Sequence, residues 1–336
     1  MTDLPVGAET LADDPEFGAR VVAALEQIEL RLAEHVHSTD PLIHVTAAHL
    51  LRAGGKRIRP LLTLLAGEIG GGINEDVINA AVVVELTHLA SLYHDDVMDS
   101  APVRRGVQTA HTVWGNNVAI LTGDLIFARA SSLVATISGR AYQIQARAFE
   151  RLVIGQLQET SGPPEDADPL EHYLQVLAGK TGSLIAACGV FGAMLSGASS
   201  EVEKMMETYG EKLGVAFQLA DDVIDITSTS DTLGKTPGTD LREGVPTLPV
   251  LMLRRMASQG DASAREVLAL VDGDLSSDES LEKAVSAVGQ HPAIQQAWEI
   301  AETWCDEAQK ALDGLPDSTA KAALYDFARG MVHRRA

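Results

Sequence analysis

Two cysteines, Cys188 and Cys305, are too few for a disulfide framework and lack the spacing of a metal-ligand set. Cys188 lies in an apolar run and reads as a small core residue. Aromatic side chains make up only 4% of the chain, and no segment sustains a period-two alternation, which disfavours a sheet-built core. Positive charge is also scarce. The 26 Lys and Arg face 47 Asp and Glu, a net charge of -21, and no basic tract is long enough for nucleic acid. A surface of that sign repels anionic substrates and lipid headgroups. A site for an anion must therefore gather its own cations. The acidic stretch Met1 to Phe17 lacks the basic and apolar regions of a secretory signal. The most apolar stretch, Ser183 to Ala198, is short and rich in Gly and Ala, which suits a packed core helix better than a membrane span. A reducing, cytoplasmic location is the expectation.

What is present favours helix. Ala, Leu, Glu and Gln dominate long stretches, and hydrophobic residues reach 46%, enough for a sizeable core. Helical spacing of apolar residues predicts helices over 17–36, 41–52, from about Pro60 to Gly70, and over 75–99. Further helices are predicted over 116–137, 141–160, 169–178, 182–196 and 200–226. Residues 227–247, rich in Ser, Thr, Gly and Pro, read as a long loop of the kind that often serves as a lid. No domain linker or repeat of period 20–50 is present. The reading is all-α, with an acidic arm over 1–16 and one domain over 17–336.

One short pattern occurs twice. Asp95-Asp96-Val97-Met98-Asp99 and Asp221-Asp222-Val223-Ile224-Asp225 each place carboxylates four apart on one helical face. Clustered carboxylates repel unless a cation sits among them. A few hard oxygen ligands suit Mg²⁺, which keeps waters and takes further ligands from phosphate. One such cluster could be a solvated acidic face. Two, both framed by apolar residues, point to opposed metal-binding walls. Gly54-Gly55-Lys56-Arg57-Ile58-Arg59-Pro60 is a glycine-hinged basic run at a helix start, suited to a diphosphate. Arg104-Arg105-Gly106 adds guanidinium forks. His88 falls on the stripe of Asp95, and Gly179-Lys180-Thr181-Gly182 interrupts a helical run, presenting a cation and a hydroxyl at a kink. Lys235 lies in the long loop. No nucleophile has an adjacent base, so covalent catalysis is disfavoured. The set fits electrostatic chemistry on a diphosphate.

With these residues in order, the chain resembles the trans-isoprenyl diphosphate synthases, or polyprenyl synthetases. The resemblance rests on GGKRIRP, DDVMD with RRG, Gly123-Asp124, Lys180-Thr181, FQLADDVID and GKTPGTDLREG. It implies a helical barrel of roughly ten core helices around a central cavity, as a homodimer. It implies head-to-tail condensation of isopentenyl diphosphate onto an allylic diphosphate, with Mg²⁺ or Mn²⁺. By this resemblance Asp95, Asp99, Asp221 and Asp225 are the metal residues, with Asp96 and Asp222 supporting them directly or through water. Arg104, Lys180, Gln218 and Lys235 bind the allylic diphosphate. Lys56, Arg59, His88 and Arg105 bind isopentenyl diphosphate, and Thr181 lies at the reacting centre. Val245 stands where many relatives carry a lysine, so one loop cation is missing. Contact with a membrane would be transient, for product release.

Product length is read from the helix leading into Asp95. Ser91, Ala90, Thr87 and Val84 step back along one side, and none is bulky. This small-residue wall runs about 16 Å and favours a long product of about six to ten isoprene units. Tyr93 is turned roughly 200° from that wall. Leu125 and Phe127 mark a second helix able to supply a floor, which leaves C20, then C15, as the shorter alternatives. A terpene cyclase would not need the second diphosphate site. A regulatory subunit of a heteromeric synthase would lack the aspartates that are intact here.

Overall fold

The computed structural model describes residues 13–228 and 237–333. Lys235 and residues 1–12 of the expected arm lie outside them. Helix α1 (Pro15–Val36) starts two residues ahead of expectation because Asp14 caps it, accepting from Phe17 N at 3.1 Å, with proline at the first turn. After α2 (Pro41–Arg52), helix α3 (Ile58–Ile69) begins two residues before Pro60, where Arg57 turns the chain with φ 48°. Helix α4 (Glu75–Met98) is capped by Asn74, which accepts from Val77 N at 2.9 Å, and carries Glu75 and Asp76 in its first turn. Its apolar residues face all round, so α4 runs through the centre of the core, against α6, α3 and α9 defined below.

A two-stranded hairpin follows, β1 (Val103–Arg104) with β2 (Val107–Gln108), turned by Arg105 and Gly106, both at positive φ. It was not read from the sequence. Next come α5 (Ala110–Trp114), α6 (Asn116–Ile137), α7 (Gly139–Ser161) and α8 (Pro169–Leu177). The expected break at Gly179-Lys180-Thr181-Gly182 is instead a π-helical turn over Ala178–Gly182, which joins α8 to α9 (Ser183–Leu195) without interruption. The stretch expected to be a short helix thus belongs to a continuous rod. Helix α10 (Ser200–Thr227) carries the second aspartate cluster, and the expected loop contains a short helix, α11 (Thr239–Arg242). The chain closes with α12 (Leu248–Ser258), α13 (Ala262–Val271), α14 (Asp278–Gln290), α15 (Pro292–Lys310) and α16 (Thr319–Val332).

Two apolar clusters form the core. One gathers α1 to α4, α6, α9, much of α10 and α16; the other gathers the C-terminal half of α10 with α12 to α15. Helix α10 joins them, so both ends of the bundle are tied to the second aspartate helix. Cys188 is fully buried, as expected of a core residue. Tyr93 is also buried and donates to Thr46 O at 2.5 Å, which directs it toward α2. By length and composition three helical stretches could cross a membrane: α4, α6 and the rod Pro169–Leu195. Two are mostly buried in the fold, but only 33% of the apolar window of α6 is.

Candidate active site

A cavity of about 590 Å³ opens between α3, α4, α7, the α8–α9 rod, α10 and residues 243–247. Helix α4 contributes His88, Ser91 and Asp95, and its C-cap Asp99 continues the same stripe. Opposite them α10 contributes Gln218 and Asp222. The two aspartate helices therefore wall one space. Asp95 is pushed up to about 6 by burial and by the neighbouring Asp99, against the pull of Lys180 and Arg104. Asp99 is raised too, chiefly by burial. Asp222 is pushed up to about 7 by burial, although it accepts from Tyr173 Oη at 2.6 Å and Leu248 N at 3.1 Å. Carboxylates held this way gain from a hard cation placed among them. Their oxygen chemistry suits a hard divalent metal, although among the described residues no three His, Cys, Asp or Glu side chains are gathered closely enough to hold one by themselves.

The remaining aspartates are used differently. Asp96 is fully buried and accepts from Arg104 Nε. Its place is to hold that guanidinium, and neither residue lines the cavity. Asp225 is buried and Asp221 half-buried, and the lining includes neither.

The cations divide into two groups. Lys180 and Thr181 line the cavity from the π turn, and Lys180 Nζ pairs with Glu159 Oε2 of α7 at 2.5 Å. That turn lies close to α7 because position 155 is glycine: a Cβ there would meet Lys180 N at 2.6 Å. Arg59 and His88 line the cavity near α3. Burial and the guanidiniums of Arg59, Arg105, Arg104 and Arg57 hold His88 well below its usual range, which favours the uncharged imidazole. Arg105 stands just outside, its Nη1 donating to Leu50 O at 3.2 Å and to Gly54 O. Lys56 is exposed on the same loop. Val245 lines the cavity on the segment where a loop cation was expected to be missing.

Behind Asp95, Ser91 reaches the cavity. Ala90, Thr87 and Val84 are buried and do not line it. Thr87 Oγ1 instead accepts from Gln145 Nε2 of α7 at 3.2 Å. A separate apolar groove of about 380 Å³, rimmed by exposed Met98, Ile120 and Leu157, lies between α4, α6 and α7 and shares Ser91, Asp95 and Leu152 with the cavity wall. Phe149 stacks on Phe127 at 3.9 Å between ring centroids. Gly123 permits the close approach of α4 and α6: a Cβ there would meet His94 Nε2 at 2.4 Å.

Sequence reasoning missed Tyr173, Glu159 and Glu85. Tyr173 and Glu159 sit in ordinary helical contexts without a motif. Glu85 carried a signal: it is a carboxylate directly after the apolar run Ala80–Val84, three residues before His88.

Comparison with known proteins agrees with this geometry. The model of the polyprenyl synthetase family matches residues 40–288. Nonaprenyl diphosphate synthase of Mycobacterium tuberculosis is 43% identical over 318 residues, covering 94% of each chain. A geranylgeranyl pyrophosphate synthase from Corynebacterium glutamicum, solved with calcium and isoprenyl diphosphate, aligns with TM-score 0.84 and 43% identity, covering 96% of this chain and 98% of that one. A decaprenyl diphosphate synthase from Rhodobacter capsulatus aligns with TM-score 0.83 and 33% identity, covering 98% of both. The chain belongs to the polyprenyl synthetase family. It is a prenyltransferase with the all-α fold of the isoprenyl diphosphate synthases, and its reaction is trans-prenyl condensation.

Proposed function

We propose that the chain extends an allylic diphosphate with isopentenyl diphosphate to an all-trans polyprenyl product of C30–C50. The observation that carries the site assignment is the single cavity walled by Asp95 and Asp99 on one side and Gln218 and Asp222 on the other. Asp95, Asp99 and Asp221, with Asp225 and Asp222 beside them, would hold Mg²⁺, with Mn²⁺ as substitute. The bound metal would neutralise charge on the departing diphosphate. Lys180, with Thr181 and Gln218 beside it, orients the allylic diphosphate, Lys235 joins from the loop, and Arg104 supports it from its anchor on Asp96. Arg59, His88, Lys56 and Arg105 hold isopentenyl diphosphate on the α3 side. Buried apolar walls around Leu152 and Leu184 keep water from the allylic cation.

A long product is supported by the nonaprenyl relative and by the small side chain of Ser91, the residue of the expected α4 wall that reaches the cavity. A C20 product is the second reading, because the cavity wall on α4 stops at Ser91 and a geranylgeranyl synthase of equal identity shares the fold. Incubation of the purified chain with isopentenyl diphosphate, farnesyl diphosphate and Mg²⁺, followed by chromatography, separates them. Products of C30 or longer are expected, and Ser91→Phe should shorten them. A wild-type product ending at C20 would overturn the long-chain reading.

Outward on α6 and α7, Leu121, Ile154 and Leu157 are exposed. This apolar face supports the homodimer. We place the enzyme in the cytoplasm as one catalytic domain over 17–336, touching the membrane only to release product.

A further inference from the structure

Glu85 is a carboxylate on α4 with only 3% of its side chain exposed, directly after the buried apolar run Ala80–Val84. A buried carboxylate needs a strong partner, and Glu85 Oε1 takes one from Arg57 Nη1 at 3.0 Å. Arg57 does not line the cavity. It reaches back from the glycine loop to Glu85 on α4 and to Glu29 on α1, at a position whose left-handed backbone (φ 48°) is unusual for a side-chain-bearing residue. The loop is thereby stapled to two helices.

Gly55 lies against this staple. A Cβ there would meet Arg57 Nη1 at 2.8 Å and Arg105 Cζ at 3.1 Å. The two guanidiniums thus occupy the space beside Gly55. Arg59, the second residue of α3, lines the cavity, and its buried Nε has no hydrogen-bond partner. Burial lowers both Arg59 and Arg105, and Glu85 is the leading charge opposing that effect in each. The guanidiniums of Arg59, Arg105, Arg104 and Arg57 all act on His88; buried Asp96 accepts from Arg104, and buried Glu85 accepts from Arg57.

We infer that Glu85, acting through Arg57, is a positioning residue that holds Arg59 and Arg105 in place for the isopentenyl diphosphate site. The inference rests on the assignment of that site to the α3 side. Glu85 touches no substrate. It offsets repulsion among the guanidiniums before the anion arrives, so the loop needs little rearrangement on binding.

The test is steady-state kinetics of Glu85→Gln, Glu85→Asp and Gly55→Ala, with each substrate varied in turn and thermal unfolding measured alongside. Glu85→Gln should raise KM for isopentenyl diphosphate by about tenfold while kcat and the allylic KM change by less than about threefold. Glu85→Asp should recover part of the loss. Gly55→Ala displaces both guanidiniums from an exposed loop, without altering the buried charge, and should give the same split if Glu85→Gln does not fold. An unchanged or lowered isopentenyl KM, or an equal loss in kcat and both KM values, would overturn the inference. Arg59→Ala is the reference. If it raises the isopentenyl KM and neither Glu85→Gln nor Gly55→Ala does, the positioning role fails alone. If Arg59→Ala leaves that KM unchanged, the site assignment fails and the inference with it.

Discussion

On α4 the repeated motif sends Asp95 and Asp99 into the cavity and turns Asp96 to Arg104. On α10 the same pattern presents its second aspartate, Asp222, beside Gln218, while Asp225 is buried. The stripe facing the cavity is shifted by one position between the two helices. A five-residue motif defines where carboxylates stand relative to one another. The neighbours decide which of them meets the substrate. On α4 the neighbour is a hairpin that supplies Arg104; on α10 it is Tyr173 and the start of α12.

The sharpest way to break this comparison is to remove one carboxylate from the cavity-facing stripe. Asp95→Asn should lower kcat by about 10²–10³, the scale of a lost electrostatic contact to the transition state. Asp96→Asn should cost less and should act through Arg104, with the larger effect on the allylic KM. Equal losses in the two variants would show that the stripe distinction has no functional content.

A smaller effect tests the other wall. Tyr173→Phe removes the 2.6 Å donor to Asp222. Activity should fall by about tenfold, and stability by about 1–2 kcal/mol, the range for one hydrogen bond to a buried polar group. Wild-type activity and an unchanged midpoint in thermal unfolding would remove Tyr173 from the site.

The smallest effect is in the pH dependence of the metal-free protein. Asp95 and Asp222 rise from 3.8 to about 6 and about 7 in the folded chain. Between pH 3.8 and those values the folded chain keeps protons that the unfolded chain has released. The stability these two groups contribute is therefore greatest at the acid end and is lost as pH rises through the window. Asp222→Asn should flatten the response up to about pH 7, and Asp95→Asn only up to about pH 6. Denaturant unfolding in chelator measures both. Identical windows for the two variants would erase the difference between the walls.

The helices were legible because apolar periodicity and caps are local. The ends moved where a local signal was passed over, as at Asp14, whose cap extends α1 to Pro15. The π turn was read as a break because Gly179 and Gly182 look like helix stops. In the fold they let the rod lie against α7 and α10, where a Cβ would come within 3.1 Å of the Arg151 and Glu211 carbonyl oxygens. The metal motifs were legible as clusters, but their facing was not. Asp96 looks equivalent to Asp95 until the hairpin places Arg104 against it. The depth of the product channel was likewise beyond a single helix. The Thr87–Gln145 hydrogen bond and the Phe127–Phe149 stack join segments far apart in the chain.

Arg57, Ser100 and Arg105 are the side-chain-bearing residues at positive φ among those described. Two of the three belong to the basic region beside Gly55. Such backbone costs of order 1–3 kcal/mol each when the surroundings must enforce it. A stability-guided redesign would put glycine at both positions and expect a sturdier protein. It would also delete the staple and one guanidinium of the anion site. At these two positions, selection for robustness and selection for turnover pull in opposite directions.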